Sequence, residues 1–254
     1  MGNLRRARVI PVLLIRNRKL VKTTNFKSEV YVGDPVNALR IFNEKEVDEL
    51  VIIDIGASVQ REPDFEFVNQ LVSECFMPLA YGGGIQNITH AKKLFAIGVE
   101  KVVLGAVAFT NPELIREIAA EYGSQSILVS IDYRNDWLGR QRVYVVNGSK
   151  KTGFTPLEFA MMAEQNGAGE ILLQSIMREG TGMGYDVVTI QRLSKEISIP
   201  LIALGGAEKI DDFSLGIKNG ASAVAAGSLF LFKGPHKAVL ISYPSPAELN
   251  KYLG

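Results

Sequence analysis

Short apolar runs of strand length alternate with amphipathic stretches of helical length along almost the whole chain. Eight runs predict β-strands, at residues 9–15, 49–55, 77–81, 101–104, 127–133, 170–175, 201–204 and 223–226. Seven stretches with apolar residues at helical spacing lie between them, at residues 35–44, 65–74, 88–97, 112–122, 156–166, 185–196 and 210–218. Strands that alternate with helices in this way pair in parallel through right-handed crossovers.

Eight units of similar size predict an α/β fold, a (β/α)8 TIM barrel that forms a single domain over residues 1–254. An open doubly wound sheet is the alternative, but no distinct second domain is visible. Residues 48–55 resemble residues 169–176, 121 positions later, and Gly82-Gly83 recurs 123 positions later as Gly205-Gly206. This periodicity predicts two duplicated half-barrels.

Two segments interrupt the alternation. Residues 135–153 contain Val143-Tyr144-Val145-Val146 and predict a β-hairpin inserted after the fifth strand. Residues 16–35 predict a long loop after the first strand. Both are expected at the C-terminal face, where barrel enzymes hold their active sites.

Composition narrows the class of protein. The chain has 254 residues, of which 47% are hydrophobic, so it can bury one large core. Its 28 basic and 27 acidic residues leave a net charge of +1, which gives no support for binding nucleic acid or a membrane surface. The basic N-terminus is not followed by a signal-peptide segment, and the longest apolar stretch, 221–232, is too short to span a bilayer.

Cysteine and histidine are scarce. Cys75 is the only cysteine, so no intrachain disulfide is possible and a reducing cytoplasm is predicted. We expect Cys75 to be a packing residue rather than a nucleophile. His90 and His236 lie far apart in the sequence, so neither a metal site nor a cofactor is predicted.

Glycines close several of the predicted strands. Gly82, Gly83 and Gly84 follow the third strand, and Gly205 and Gly206 are their counterparts in the second half. Gly227 and Ser228 follow the eighth strand, as Gly105 follows the fourth. A glycine after a strand lets a backbone N–H approach a phosphate, and residues 228–232 suggest the short extra helix of a phosphate site. Ordinary turn formation is the alternative. A phosphorylated small molecule with a phosphate at each end would suit a matched pair of sites.

Residues at the C-terminal ends of barrel strands are expected to point toward an active site. Asp132 is a candidate general acid or base, because a partly desolvated carboxyl can titrate near neutral pH; a loop-capping role is the alternative. Asp54 and Ser175 occupy similar positions after the second and sixth strands.

Four charged residues stand at strand starts, at the opposite end of the predicted barrel. Arg8, Glu49, Lys101 and Glu170 belong to strands one, two, four and six and alternate in sign. They are expected to form a ring, which is either a stabilising salt-bridge cluster or a gate across an axial passage.

These features resemble the cyclase subunit of imidazole glycerol phosphate synthase over nearly the whole chain. The matching motifs are Lys22 through Asn25-Phe26, Gly33-Asp34-Pro35, Asp48-Glu49-Leu50, Gly82-Gly83-Gly84-Ile85, Gly123-Ser124-Gln125, Ile131-Asp132, Gly167 through Leu173, Gly180-Thr181, Gly184-Tyr185-Asp186 and Gly205-Gly206-Ala207.

The resemblance implies a half-barrel duplication with two phosphate sites and a heterodimer with a glutaminase subunit. Ammonia from the glutaminase would pass through the barrel, and the ring of Arg8, Glu49, Lys101 and Glu170 corresponds to the family's ammonia gate. Asp132 corresponds to one of two catalytic aspartates, and Lys22 is a further site candidate.

Three departures from the family pattern fall in the implied active site. The other catalytic aspartate is replaced by Leu14, which cannot transfer a proton. An Asn-Thr pair after strand four is replaced by Gly105-Ala106, and Ser-Ile-Asp-Arg-Asp-Gly after strand six is replaced by residues 175–180, Ser-Ile-Met-Arg-Glu-Gly.

The segments around Leu14, Cys75 and Phe232 resemble a divergent subgroup associated with bacterial surface-polysaccharide gene clusters. This resemblance implies that the barrel and its glutaminase supply ammonia to a separate sugar amidotransferase that forms acetamidino sugars. Two alternatives stay open: a working cyclase of histidine biosynthesis whose missing acid is supplied by Asp54 or Glu179, and a non-catalytic activator of the glutaminase.

Overall fold

Eight parallel strands close into a barrel in the computed structural model, which describes residues 6–234 and 236–253. The strands are Arg8–Arg16 (β1), Leu50–Asp54 (β2), Leu79–Gly82 (β3), Lys101–Leu104 (β4), Ile127–Asn135 (β5), Glu170–Ser175 (β6), Leu201–Leu204 (β7) and Ala223–Ala226 (β8). Each strand pairs with the next, and β8 pairs with β1. The predicted (β/α)8 fold is confirmed.

Seven helices cover the outside of the barrel at the predicted places. They are Pro35–Glu44, Phe65–Ser73, Ile88–Ile97, Glu113–Tyr122, Pro156–Gln165, Val187–Ser194 and Ile210–Lys218. The short helix Ser228–Leu231 after β8 is also confirmed. The apolar pattern did not predict Ile55–Gln60, Ala106–Thr110, the 3-10 turn Ser124–Ser126 or Pro246–Leu253.

The hydrophobic core has two layers, because successive side chains of a strand point to opposite faces. One layer lies between the strands and the helices and includes Phe42, Phe159 and Phe213. The other fills the barrel itself. Its members are Ile10, Val12, Val51, Ala80, Val103, Leu128, Leu172, Ile202, Leu204, Ala223 and Ala225.

The prediction of a loop over residues 16–35 was wrong. This segment is an antiparallel hairpin of strands Lys19–Thr24 and Lys27–Gly33, which extends β1 beyond the barrel. Asn17 and Arg18, which join β1 to the first of these strands, both have positive φ, 50° and 59°. This is the conformation of a tight two-residue hairpin turn. The second strand is largely exposed, so it lacks the alternating apolar pattern that predicts a strand.

The predicted hairpin over residues 135–153 is confirmed. The end of β5 pairs with strand Gln141–Val145, which pairs in turn with Lys150–Lys151. Both hairpins leave the C-terminal ends of their barrel strands. Within the described residues, no helix combines the length and apolar character needed to cross a membrane.

Candidate functional site

Four charged side chains close the N-terminal end of the barrel. Arg8 contacts Glu49 at 2.5 Å and Glu170 at 2.7 Å, and Lys101 contacts the same two carboxylates at 2.8 and 3.1 Å. Each carboxylate therefore bridges both cations, and Glu49 is only 3% exposed. The structure brings all four predicted residues together as a complete ring.

The interior above this ring is apolar. Arg8 shares the inward face of β1 with Ile10 and Val12, and Lys101 shares that of β4 with Val103. A charged molecule that entered this layer would lose its hydration without a compensating partner, at a high cost in free energy. For a small neutral molecule that cost is much lower.

Asp132 lies at the opposite end, on the inward face of β5. Its carboxyl accepts a hydrogen bond from Ser130 at 3.3 Å, and no cation contributes to its titration. Burial raises the pKa of Asp132 from its ordinary value to about 7. The side chain is nevertheless partly accessible, because it lines a cavity. Asp132 thus has both the position and the pKa of a general acid or base.

The cavity beside Asp132 is small, about 100 Å³. The first glycine cluster, Gly82–Gly84, forms one wall together with Gly105 and Ala106. The 135–153 hairpin covers it with Tyr144 through Asn147, and Asn147 donates a hydrogen bond to the Ile55 carbonyl at 3.1 Å. An added Cβ at Gly83 would lie 2.4 Å from the Asp54 carbonyl, so this close approach requires glycine.

Leu14 occupies the position on β1 that corresponds to Asp132 on β5. Both belong to the alternate positions that face the inside of the barrel near the C-terminal ends of their strands. Strands β1 and β5 lie diametrically opposite each other in the eight-stranded barrel. Leu14 pairs in register with Ile53 and Val21, so its neighbours are apolar. Gly105 differs from Gly83 in its surroundings, because an added Cβ at Gly105 would meet no atom within 4 Å. The backbone at Gly105 therefore leaves open space where a side chain would begin.

The second glycine cluster lies next to a much larger cavity. Gly205 and Gly206 have φ of 95° and 107°, and Gly227 precedes the helix that begins at Ser228. Ser228 lines a cavity of about 850 Å³, within the usual range for small-molecule sites. Three lysines and three acidic residues also line it, so its charges are of both signs: Lys209, Lys233, Lys237, Glu208, Asp211 and Glu248.

Lys22 comes from the hairpin after β1 but reaches the second half of the barrel. Its ammonium lies 3.1 Å from the position that a Cβ on Gly227 would occupy, and it forms a buried ion pair with Glu179. Gln174, beside Asp132 in the β5–β6 register, donates to Glu179 at 3.1 Å. Burial, and after it the charge of Lys237, lowers the pKa of Lys22.

Asp54 and Ser175 lie outside the Asp132 cavity. Asp54 is buried and caps the helix Ile55–Gln60, accepting hydrogen bonds from Gly56 at 2.9 Å and Ala57 at 2.8 Å. The Ser175 carbonyl lies 2.9 Å from where a Cβ on Gly205 would stand. These contacts are those of residues that shape the loops around the site.

Cysteine and potential metal ligands were the remaining candidates for reactive chemistry among the described residues. Cys75 is half-buried against the core, and burial raises the pKa of its thiol, as expected for a packing residue. In the part of the chain that the structure describes, no group of three or more histidine, cysteine, aspartate or glutamate residues could hold a metal ion.

Sequence reasoning missed several residues that line the two cavities. Ser130 is two positions before Asp132 on the same strand face, so the strand period could have identified it. Tyr144, Asn147 and Lys237 carry no such signal, because loops bring them to the site from distant positions.

Comparison with known proteins identifies relatives along nearly the whole chain. Residues 8–235 match a family described as "Histidine biosynthesis protein". A Pseudomonas aeruginosa protein, provisionally named imidazole glycerol phosphate synthase subunit hisF2, is 49% identical over 247 residues, covering 96% of this chain and 98% of the relative. A provisionally named HisF subunit from Leptospira interrogans is 46% identical, covering 94% and 95%. The imidazole glycerol phosphate synthase subunit HisF of Streptomyces griseus is 39% identical, covering 89% and 90%.

Proposed function

The chain belongs to the histidine biosynthesis protein family, and we propose that it is a synthase barrel subunit that conducts ammonia from a glutaminase partner. The observation that carries the proposal is the complete ring of Arg8, Glu49, Lys101 and Glu170, whose four contacts span 2.5–3.1 Å. The ring is retained although Leu14 leaves the cyclase constellation incomplete.

The ring and the apolar interior suit passage of a neutral molecule. Ammonia, unlike ammonium, can enter the layer formed by Ile10, Val51 and Val103 without a large desolvation cost. Opening of the ring would begin with Lys101 leaving Glu49 and Glu170, and lysine has the flexible stem for such a movement. Arg8 would keep both carboxylates paired meanwhile.

The acceptor of the ammonia is the finer part of the proposal. We assign it to a sugar that a separate amidotransferase amidinates for surface polysaccharide, in the cytoplasm. Leu14, Gly105 and Ala106 remove an acid and two side-chain donors that cyclisation would use. The large cavity near Ser228 has the volume for a phosphorylated small molecule at the second half of the barrel, and its lysines are the groups that would contact the phosphate.

A working cyclase is the second candidate, and Asp132 favours it, because a carboxyl with a pKa of about 7 suits proton transfer. The two acids that could replace the missing aspartate are both engaged. Asp54 caps a helix, and Glu179 is paired with Lys22. These contacts favour the conducting barrel over the cyclase.

The test follows the source of the nitrogen. The barrel, its glutaminase and the sugar amidotransferase are supplied with glutamine labelled with ¹⁵N at the amide and with excess unlabelled ammonium. Conduction predicts a product enriched in ¹⁵N. A product with the isotope ratio of the bulk ammonium would contradict conduction and leave the barrel as an activator of the glutaminase.

Ring variants separate a gate from a salt-bridge cluster. Lys101→Met removes one charge of the ring, and Lys101→Arg is the matched control that keeps it. A gate predicts that Lys101→Met changes the ratio of product formed to glutamine hydrolysed, while Lys101→Arg changes it less. If Lys101→Met lowers only the melting temperature, the ring is structural.

A further inference from the structure

A third cavity lies on the outer rim of the C-terminal face, apart from the two described above. It has a volume of about 510 Å³ and lies between the 135–153 hairpin and the first turns of helices Pro156–Gln165 and Val187–Ser194. We call it the rim groove. It shares no lining residue with the cavities at Asp132 and Ser228.

Three arginines line the rim groove: Arg140, Arg142 and Arg192. Arg140 is paired with Asp136 at 3.2 Å. Among the residues that the structure describes, neither Arg142 nor Arg192 has a carboxylate within 4.0 Å. The charges of Arg142 and Arg192 both act on the Glu158 carboxylate. That carboxylate accepts hydrogen bonds from the Thr155 backbone and hydroxyl at 2.7 and 2.9 Å. Arg142 donates one hydrogen bond, to the Gln141 carbonyl at 3.0 Å. Within the described part of the chain, the groove therefore presents two guanidinium groups that no carboxylate pairs at salt-bridge distance.

The groove also offers apolar surface and a favourable dipole. Val188 is 75% exposed and lines it together with Leu157 and Leu193. Thr155 and Pro156 belong to the start of a ten-residue helix, so the positive end of that helix faces the cavity. This combination suits a ligand with one anionic group and one apolar or ring portion.

Hydrogen bonds connect the floor of the groove to Tyr133, the residue that follows Asp132 on β5. Gln141 donates to Thr189 at 2.6 Å, Thr189 donates to Asp186 at 2.7 Å, and Tyr133 donates to Asp186 at 2.8 Å. Tyr133 adjoins Asp132 on β5. Gln141 begins the strand whose far end, with Tyr144, covers the Asp132 cavity.

We propose that the rim groove binds a phosphate monoester with a ring or other apolar portion, and that the bound ligand fixes the 135–153 hairpin over the Asp132 cavity. Arg142 and Arg192 hold the phosphate, because planar guanidinium groups match phosphate geometry. Val188 contacts the apolar portion. This ligand is additional to any phosphorylated molecule bound at the glycine clusters.

Calorimetric titration of the whole chain with AMP, and separately with inorganic phosphate, tests the proposal. Fluorescence of Trp137, the only tryptophan, which lies near the hairpin tip, gives a second readout. Arg142→Gln and Arg192→Gln are each expected to weaken AMP binding about tenfold or more, the value of one charge-assisted hydrogen bond. Inorganic phosphate is expected to bind more weakly than AMP.

Two controls locate the ligand. Arg116→Gln removes an exposed arginine that does not line the groove and pairs with Glu113 of its own helix, and it should leave AMP affinity unchanged. Ser228→Glu places a negative charge at the second glycine cluster and should also leave it unchanged. Loss of binding in Ser228→Glu, insensitivity to both groove variants, or no AMP binding up to about 1 mM would overturn the proposal.

Discussion

Asp132 and Leu14 occupy corresponding positions on opposite strands, but only Asp132 can carry a proton. Protein atoms crowd its carboxyl. Among the residues that the structure describes, Ser130 alone donates to it and no cation stabilises the charged form. Desolvation therefore acts almost unopposed and raises the pKa of Asp132 to about 7. Desolvation of the ionised carboxylate destabilises the folded chain, and pKa shifts of this kind are common at functional sites.

The pKa of Asp132 implies a pH-dependent stability. Because it is raised from 3.8 to about 7, the folded chain binds this proton more tightly than the unfolded chain, and stability falls as pH rises through that window. Asp132→Asn should remove this loss, which is at most about 4 kcal/mol and smaller for a partly accessible carboxyl. Urea unfolding at pH 4 and pH 8 measures it.

Ser130→Ala is the matched control for that measurement, because it removes the hydrogen bond to Asp132 and keeps the titrating carboxyl. It should retain the pH dependence of the native chain. An unfolding free energy that differs between Asp132→Asn and the native chain by the same amount at both pH values would contradict the assigned pKa.

Restoring the family residues tests what the departures removed. Leu14→Asp, Gly105→Asn and Ala106→Thr together should bring back cyclisation if only these groups were lost, since one general acid contributes about 10²–10⁴ in rate. Gly105 has open space where the new side chain would begin. Ammonia-dependent turnover of the aminated ribonucleotide intermediate of histidine synthesis is the measurement. No gain would mean that substrate fit has also been lost.

At the scale of elements, the two hairpins on the C-terminal face bring distant residues to the site. The first carries Lys22 to Gly227 and Glu179, and the second places Tyr144 and Asn147 over the Asp132 cavity. Short helices after the strands set the loop geometry. Ile55–Gln60 begins at Asp54, which accepts two backbone hydrogen bonds.

Asp54 is expected to stabilise the fold as a helix cap. Asp54→Ala should lower the free energy of unfolding by about 1 kcal/mol, the usual value of a lost N-cap, and Asp54→Asn should cost less because asparagine also caps helices. Denaturant unfolding of the two variants tests this. Equal destabilisation by both substitutions would show that the charge of Asp54, rather than its capping oxygen, is what matters.

The barrel strands and main helices were predictable because their apolar residues repeat with clear periods of strands and helices. The ring was predictable for a related reason, since Arg8 and Lys101 stand at strand starts on the inward face. The hairpin strand Lys27–Gly33 was not, because exposed residues such as Tyr31 give no burial pattern. The Lys22–Glu179 pair depends on tertiary structure and has no local signal. The half-barrel duplication stays a prediction.

At the scale of the whole molecule, the two ends of the barrel differ in chemistry. One end has a closed ring of charge, the other has Asp132 and two glycine clusters, and an apolar layer separates them. This polarity suits a subunit that receives a small neutral molecule at one end and delivers it at the other.

The proposed glutaminase is expected to dock at the end that carries the ring. Phe76 lies at that rim, just before β3, and is 85% exposed although its backbone is fixed by a hydrogen bond to Asn43 at 3.0 Å. Phe76→Asp should weaken association with the glutaminase by at least about tenfold, as loss of an aromatic interface anchor does. Analytical ultracentrifugation measures the affinity.

Trp137→Asp is the matched control, because Trp137 is equally exposed but lies on the hairpin at the opposite end. It should leave association with the glutaminase unchanged. Similar weakening by both variants would place the partner elsewhere.

The central claim is that this barrel keeps the ammonia ring without the cyclase reaction. The most direct measurement is turnover of the aminated ribonucleotide intermediate of histidine synthesis by the purified native chain with saturating ammonia, which bypasses the glutaminase. We expect turnover at least about 10²-fold slower than that of a family member with both aspartates, because Leu14 cannot supply the missing proton transfer. Robust formation of imidazole glycerol phosphate would contradict the central claim.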